Sequence, residues 1–142
     1  MPGWETGTGD IIEEMPSPSF THADSRRLAE ISYDRAVEEL AQGDVAAAIS
    51  GFRDALTADP DFSDATHGLI HALRLAGRLD EAVEVTQALI AAHPDDTLAH
   101  TSLSILYQHQ GKVPEAEAAA LKAKLLGWKQ QLREQAAAEG GK

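Results

Sequence analysis

The chain has 142 residues, of which 43% are apolar and only 5% aromatic, a balance that favours one domain of closely packed helices over a β-sandwich. Its formal net charge of −11 argues against nucleic acid and anionic membranes as partners, because both bind basic surfaces. No apolar run approaches the roughly 20 residues of a membrane span, and the lack of cysteine excludes disulfides, thiolate catalysis and sulfur-ligated metals.

Residues 1–20 are predicted to form a disordered acidic head, since they are rich in Gly, Pro, Ser and Thr and contain no Lys or Arg. They lack the basic start and apolar run of a secretory signal, so we expect a cytoplasmic protein. Ile11, Ile12 and Met15 stand out within this polar stretch as a candidate docking motif for a partner. One alternative is that this stretch folds back into the protein's own groove, and another is a solvated leader without function.

The first helix is predicted to begin near Thr21, because Thr21 and Asp24 have the spacing of a capping box. After it, two small residues recur every 34 positions, a glycine and, five residues later, an alanine. They are Gly43, Gly77 and Gly111, followed by Ala48, Ala82 and Ala116. Glycine accepts the positive φ of a turn after a helix, and alanine lets two helices approach closely. Each unit is therefore predicted to be two helices joined by a glycine turn, and Pro60 and Pro94 separate the units.

The end of the chain is predicted to form a C-terminal capping helix over residues 128–138 and a frayed tail over 139–142. Trp128 and Leu132 lie on one face of this helix and are expected to cover the open side of the last unit. A surface recognition helix is the alternative.

This pattern resembles the tetratricopeptide repeat, with a repeat domain over residues 21–130 and repeats at 29–62, 63–96 and 97–130. The end of the second helix in the first repeat matches the family consensus best, at Phe52, Ala55, Leu56, Asp59 and Pro60. The resemblance implies an all-α superhelix (solenoid) of three such helix pairs with the C-terminal capping helix.

The resemblance further implies a non-enzymatic adaptor or accessory subunit that binds a peptide or helix of another protein in the concave groove. The residues it places in the groove are Tyr33, Val37, His67, His71, Arg74, Leu75, Leu98, Thr101, Ser102, Ile105 and His109. Gly68 is expected to let a ligand come close. One subfamily binds the C-terminal carboxylates of chaperones through cationic side chains in this groove. None of the residues at the corresponding positions here is a cation: Tyr33, Val37, Gly68, Leu98 and Ser102.

The histidines support a second hypothesis, a metal- or small-ligand-binding protein. His67 and His71 lie one helical turn apart, and His109 is expected across the groove, where it would complete a metal site. No cofactor is expected, and neither a nucleophile elbow nor a phosphate loop suggests an enzyme. Two further hypotheses are membership of a larger complex and self-association through uncapped edges.

Overall fold

The computed structural model describes residues 21–140, which form six helices and no strand. The helices are α1 His22–Ala41, α2 Val45–Ala58, α3 Ser63–Leu75, α4 Leu79–Ala92, α5 Thr97–His109 and α6 Val113–Gly140. Each helix packs against the next, which confirms the predicted all-α solenoid of helix pairs. None of these helices is both long and apolar enough to cross a membrane. The head motif at Ile11, Ile12 and Met15 lies outside the described residues.

The capping box predicted at the start of α1 is present. The Thr21 hydroxyl accepts a hydrogen bond from the Asp24 backbone N–H, and the Asp24 carboxylate accepts one from the Thr21 backbone N–H, each at 3.2 Å. The backbone hydrogen bond from Thr21 is the main cause that lowers the pKa of Asp24. The helix therefore begins where the sequence pattern predicts it.

The three repeated glycines occupy the turns inside the helix pairs. Gly43, Gly77 and Gly111 have φ values of 87°, 76° and 76°, a conformation that side chains with a Cβ adopt only with strain. After Gly77, the Arg78 N–H returns to the Leu73 carbonyl at 2.9 Å and satisfies an open helix end. The 34-residue spacing thus corresponds to a repeated structural unit.

Small residues let the two helices of a pair come close together. A Cβ built on Gly51 in α2 would lie 2.8 Å from the Cβ of Ala36 in α1, closer than real Cβ atoms approach. The repeated alanines at 48, 82 and 116 are buried at the corresponding interfaces. The core between the pairs is built around larger side chains, of which Phe52, Leu73 and Leu106 are fully buried.

Gly68 has a packing role, which differs from our expectation that it admits a ligand. A Cβ at this position in α3 would lie 2.4 Å from a ring carbon of Phe52 in α2. The space beside Gly68 is therefore filled by the protein's own core. The sequence period gives no sign of this, because it does not show which face of α3 meets α2.

The C-terminal region also differs from the prediction. Residues 128–138 are helical, but they continue α6 and do not form a separate capping helix, and Trp128 and Leu132 are more than half exposed. In the first two repeats a proline, Pro60 or Pro94, follows the second helix, whereas Trp128 at the corresponding position keeps its N–H and lets the helix continue. The predicted tail is helical as far as Gly140, and residues 141–142 lie outside the described part.

Gly68→Ala should destabilise the protein, whereas Gly127→Ala, also inside a helix, should stabilise it. A methyl group in the Phe52 ring space costs about 3 kcal/mol by overpacking, and the alanine regains about 1 kcal/mol of helix propensity, so a net loss of about 2 kcal/mol is expected. A Cβ at Gly127 meets no atom within 4 Å, so only the gain of about 1 kcal/mol remains.

Urea unfolding followed by far-ultraviolet circular dichroism measures both free energies of unfolding. Stabilisation by both substitutions would contradict the role assigned to Gly68.

Candidate functional site

An open cavity of about 230 Å³ lies between α3 and α5, the first helices of the second and third repeats. It is lined by His67, Ile70, His71, Arg74, Leu98, Thr101, Ser102, Ile105 and Leu106. All of these except Ile70 and Leu106 belong to the predicted groove. The structure therefore brings seven of the predicted residues of the second and third repeats together at one surface.

Helix periodicity explains why these side chains share a surface. On α3, Leu69 and Leu73 are buried in the core, so His67, His71 and Arg74 lie along a different side of the helix. Ile70 and Leu106 are themselves buried and form the apolar floor of the cavity. Sequence reasoning missed both, because nothing in their spacing distinguishes the floor of a cavity from ordinary core.

His67 links the two helices through Asp96. The Nε2 atom of His67 lies 2.8 Å from Oδ2 of Asp96, and both side chains are mostly buried. The other carboxylate oxygen of Asp96 accepts the N–H of Ala99 and so caps the start of α5. The Nδ1 atom of His67 is buried and has no hydrogen-bond partner within the described residues. This nitrogen is an unused polar group beside the cavity.

His71 is paired with Arg74 in a different way. The Arg74 guanidinium donates a hydrogen bond to Nδ1 of His71 at 2.7 Å, which requires a free lone pair on that nitrogen. Burial, and then the neighbouring Arg74 cation, lower the pKa of His71. At neutral pH the imidazole is therefore uncharged and carries its proton on Nε2.

The remaining predicted groove residues do not line this cavity. Tyr33 packs between two other rings, with centroid distances of 5.7 Å to Phe52 and 5.2 Å to Phe62. Three others, Val37, Leu75 and His109, are exposed away from the cavity lining. The predicted groove of the first repeat is thus separate from the open cavity.

The three-histidine metal hypothesis is not supported. Within residues 21–140, no group of three or more His, Asp or Glu side chains is arranged to hold a metal ion. His67 and His71 each use one ring nitrogen for a neighbouring side chain, and His109 does not join them. Sequence reasoning missed the acid that contacts His67, Asp96, because a contact across 29 residues has no local pattern.

A family model described as tetratricopeptide repeat matches residues 39–106. No curated protein matches the sequence. Among solved structures, "Crystal structure of MamA" has a TM-score of 0.70 at 24% identity and covers 76% of this chain and 63% of that chain. The chain thus spans less than two thirds of that structure's length.

Two other solved structures contain bound partners according to their descriptions. The "Second TPR of Spaghetti (RPAP3) bound to HSP90 peptide SRMEEVD" has a TM-score of 0.68 at 18% identity and covers 74% of this chain and 96% of that chain. The "CopN-Scc3 complex" has a TM-score of 0.64 at 21% identity, covering 69% and 58%. At these identities the likeness shows a shared fold.

The imidazole of His71 should titrate below the ordinary value of 6.5, and Arg74→Gln should raise its pKa by removing the cation. Because the folded pKa is lowered, the unfolded chain binds the proton more readily, and stability falls as pH decreases from about 6.5 to the folded pKa. NMR titration of the His71 ring resonances measures the pKa. Arg78→Gln, which removes a cation that is not paired with His71, is the control and should leave the titration unchanged. An identical midpoint in Arg74→Gln would contradict the pairing.

Proposed function

Because the chain belongs to the tetratricopeptide repeat family, we propose that it is a non-enzymatic adaptor or accessory subunit that binds a peptide or helix of another protein in the α3–α5 cavity. The observation that carries this proposal is the convergence of apolar side chains and hydrogen-bonding groups at one open surface. Leu98 and Ile105 offer apolar contact, and Arg74 offers a charged donor beside them.

The size of the cavity supports a polypeptide segment as the ligand. Pockets that enclose whole small molecules have volumes of about 300–1,000 Å³, whereas this cavity has about 230 Å³. It is large enough to take one or two anchoring side chains while the rest of a peptide lies across the surface. Accessible polar side chains at the cavity, such as Arg74 and Thr101, would then hydrogen-bond to the peptide backbone.

Two of the structural neighbours provide a precedent for a partner on this fold, since one is described with a bound HSP90 peptide and the other as a complex. The HSP90 peptide itself is not the ligand that we propose for this chain. A carboxylate-rich peptide end needs several cations, but Leu98 and Ser102 stand at two of the positions where chaperone-binding relatives carry them. The proposed ligand is therefore a segment held mainly by apolar anchors.

Leu98→Asp should weaken partner binding at least tenfold, because a carboxylate would be desolvated against the ligand's apolar anchor. The matched control is Val113→Asp, since Leu98 and Val113 have exposures of 56% and 57% but Val113 lies outside the cavity. The measurement is quantitative affinity capture from the native cell with wild-type and both variants, followed by calorimetric titration of the captured partner.

Thermal unfolding of the three proteins should agree closely, because both substituted side chains are exposed. A partner retained equally by all three proteins would contradict binding at this cavity.

A further inference from the structure

Helix α6 has two apolar stripes on opposite faces. The inner stripe is made mostly of small residues and is buried toward α5: Ala116, Ala119, Ala123 and Leu126. The second, which we call the outer stripe, consists of Leu121, Leu125, Trp128 and Leu132, all of them exposed. Its steps of four, three and four residues are those of a coiled-coil interface, in which a partner helix packs along the stripe.

Repeat packing does not require the outer stripe. Leu121 corresponds in the 34-residue register to Arg53 and Gln87, which are exposed and polar, and Leu125 corresponds to Thr57, also exposed. The third repeat therefore has large apolar side chains at positions where the first repeat has exposed polar side chains. Contiguous exposed apolar side chains of this kind indicate an interaction surface.

On the face of α6 onto which a following repeat would stack, large apolar side chains are replaced by a small one and a charged one. In the first repeat, Phe52 and Leu56 pack against the next helix pair. The corresponding residues of the third repeat are Ala120 and Lys124, which are exposed. The large apolar side chains of α6 thus lie on its outer face and not on its stacking face, so a further repeat is not the occupant that this surface suits.

The charges beside the outer stripe identify the kind of partner. Residues 121–132 contain Lys122, Lys124 and Lys129 and no Asp or Glu. Helical spacing places Lys124 on one side of the stripe and Lys122 and Lys129 on the other. Lys124 lies over the Trp128 ring, with Nζ at 5.1 Å from the ring centroid. A second copy of the chain packed along this stripe would bring lysine against lysine, which disfavours self-pairing.

We propose that the outer stripe binds an acidic amphipathic helix of a partner protein. Apolar side chains of that helix, at three- and four-residue steps, would pack along Leu121, Leu125, Trp128 and Leu132. Its flanking Asp or Glu side chains would pair with the three lysines. This surface is separate from the α3–α5 cavity, so the inference does not depend on the function proposed for the cavity.

Two synthetic peptides of three heptads test the proposal on the full chain, both with leucine at positions a and d. One carries glutamate at e and g, and the control carries lysine there. A Trp4→Phe background leaves Trp128 as the single tryptophan, whose emission reports on the outer stripe. The glutamate peptide should shift this emission to shorter wavelength and bind at least tenfold more tightly than the lysine peptide.

Leu125→Asp should reduce the affinity for the glutamate peptide at least tenfold. The matched control, Leu28→Asp on α1, should leave it unchanged, because Leu28 and Leu125 have exposures of 46% and 48%. Replacing Lys122, Lys124 and Lys129 together with glutamate should reverse the preference between the two peptides. Circular dichroism verifies that each variant keeps its helices.

Three results would overturn the proposal. The first is no emission shift with the glutamate peptide, and the second is equal affinity for both peptides. The third is a dimer in sedimentation that Leu125→Asp dissociates, because a second copy would then occupy the stripe. Leu98→Asp should leave peptide binding intact, which separates this test from the one for the cavity.

Discussion

The contact between Phe52 and Gly68 determines how the first repeat meets the second. The Phe52 ring fills the space that any side chain at position 68 would need, so α2 and α3 approach as closely as a ring against a backbone allows. Phe52 is also one of the most deeply buried side chains of the core. The placement of α3 follows from this contact, and with it the placement of the histidines that line one wall of the cavity.

The other wall is held by electrostatics as well as by packing. One carboxylate, that of Asp96, caps α5 and also contacts His67 on α3, so a single side chain fixes both the start of one helix and its distance from the other. Beside it, the Arg74 guanidinium hydrogen-bonds to a neutral His71. The groove therefore combines an apolar floor with polar groups whose orientation is fixed by contacts within the protein, which would lower the ordering cost of binding a ligand.

The periodicity of the sequence was sufficient to predict the repeat, the glycine turns and the capping box, because those features depend on local spacing. Most of the cavity lining was predicted only from the resemblance to the tetratricopeptide repeat. Periodicity was not sufficient for features that depend on contacts between residues far apart in the sequence. Nothing in the local sequence indicates that Gly68 faces Phe52 or that Asp96 contacts His67. His109 was grouped with two histidines that it does not join. The continuation of α6 depends on position 128, where Trp128 replaces the prolines that follow the corresponding helices.

The length of α6 has a geometric consequence. It has 28 residues where α2 has 14, and at about 1.5 Å per residue the additional half extends it by about 21 Å. The Gln130 side chain donates a hydrogen bond to the Asp95 carbonyl at 3.3 Å, which connects the first part of the extension to the preceding repeat. The end of α6 therefore projects beyond the length of the other second helices. With both proposed sites occupied, one molecule would hold two partners together and raise their effective concentration toward each other.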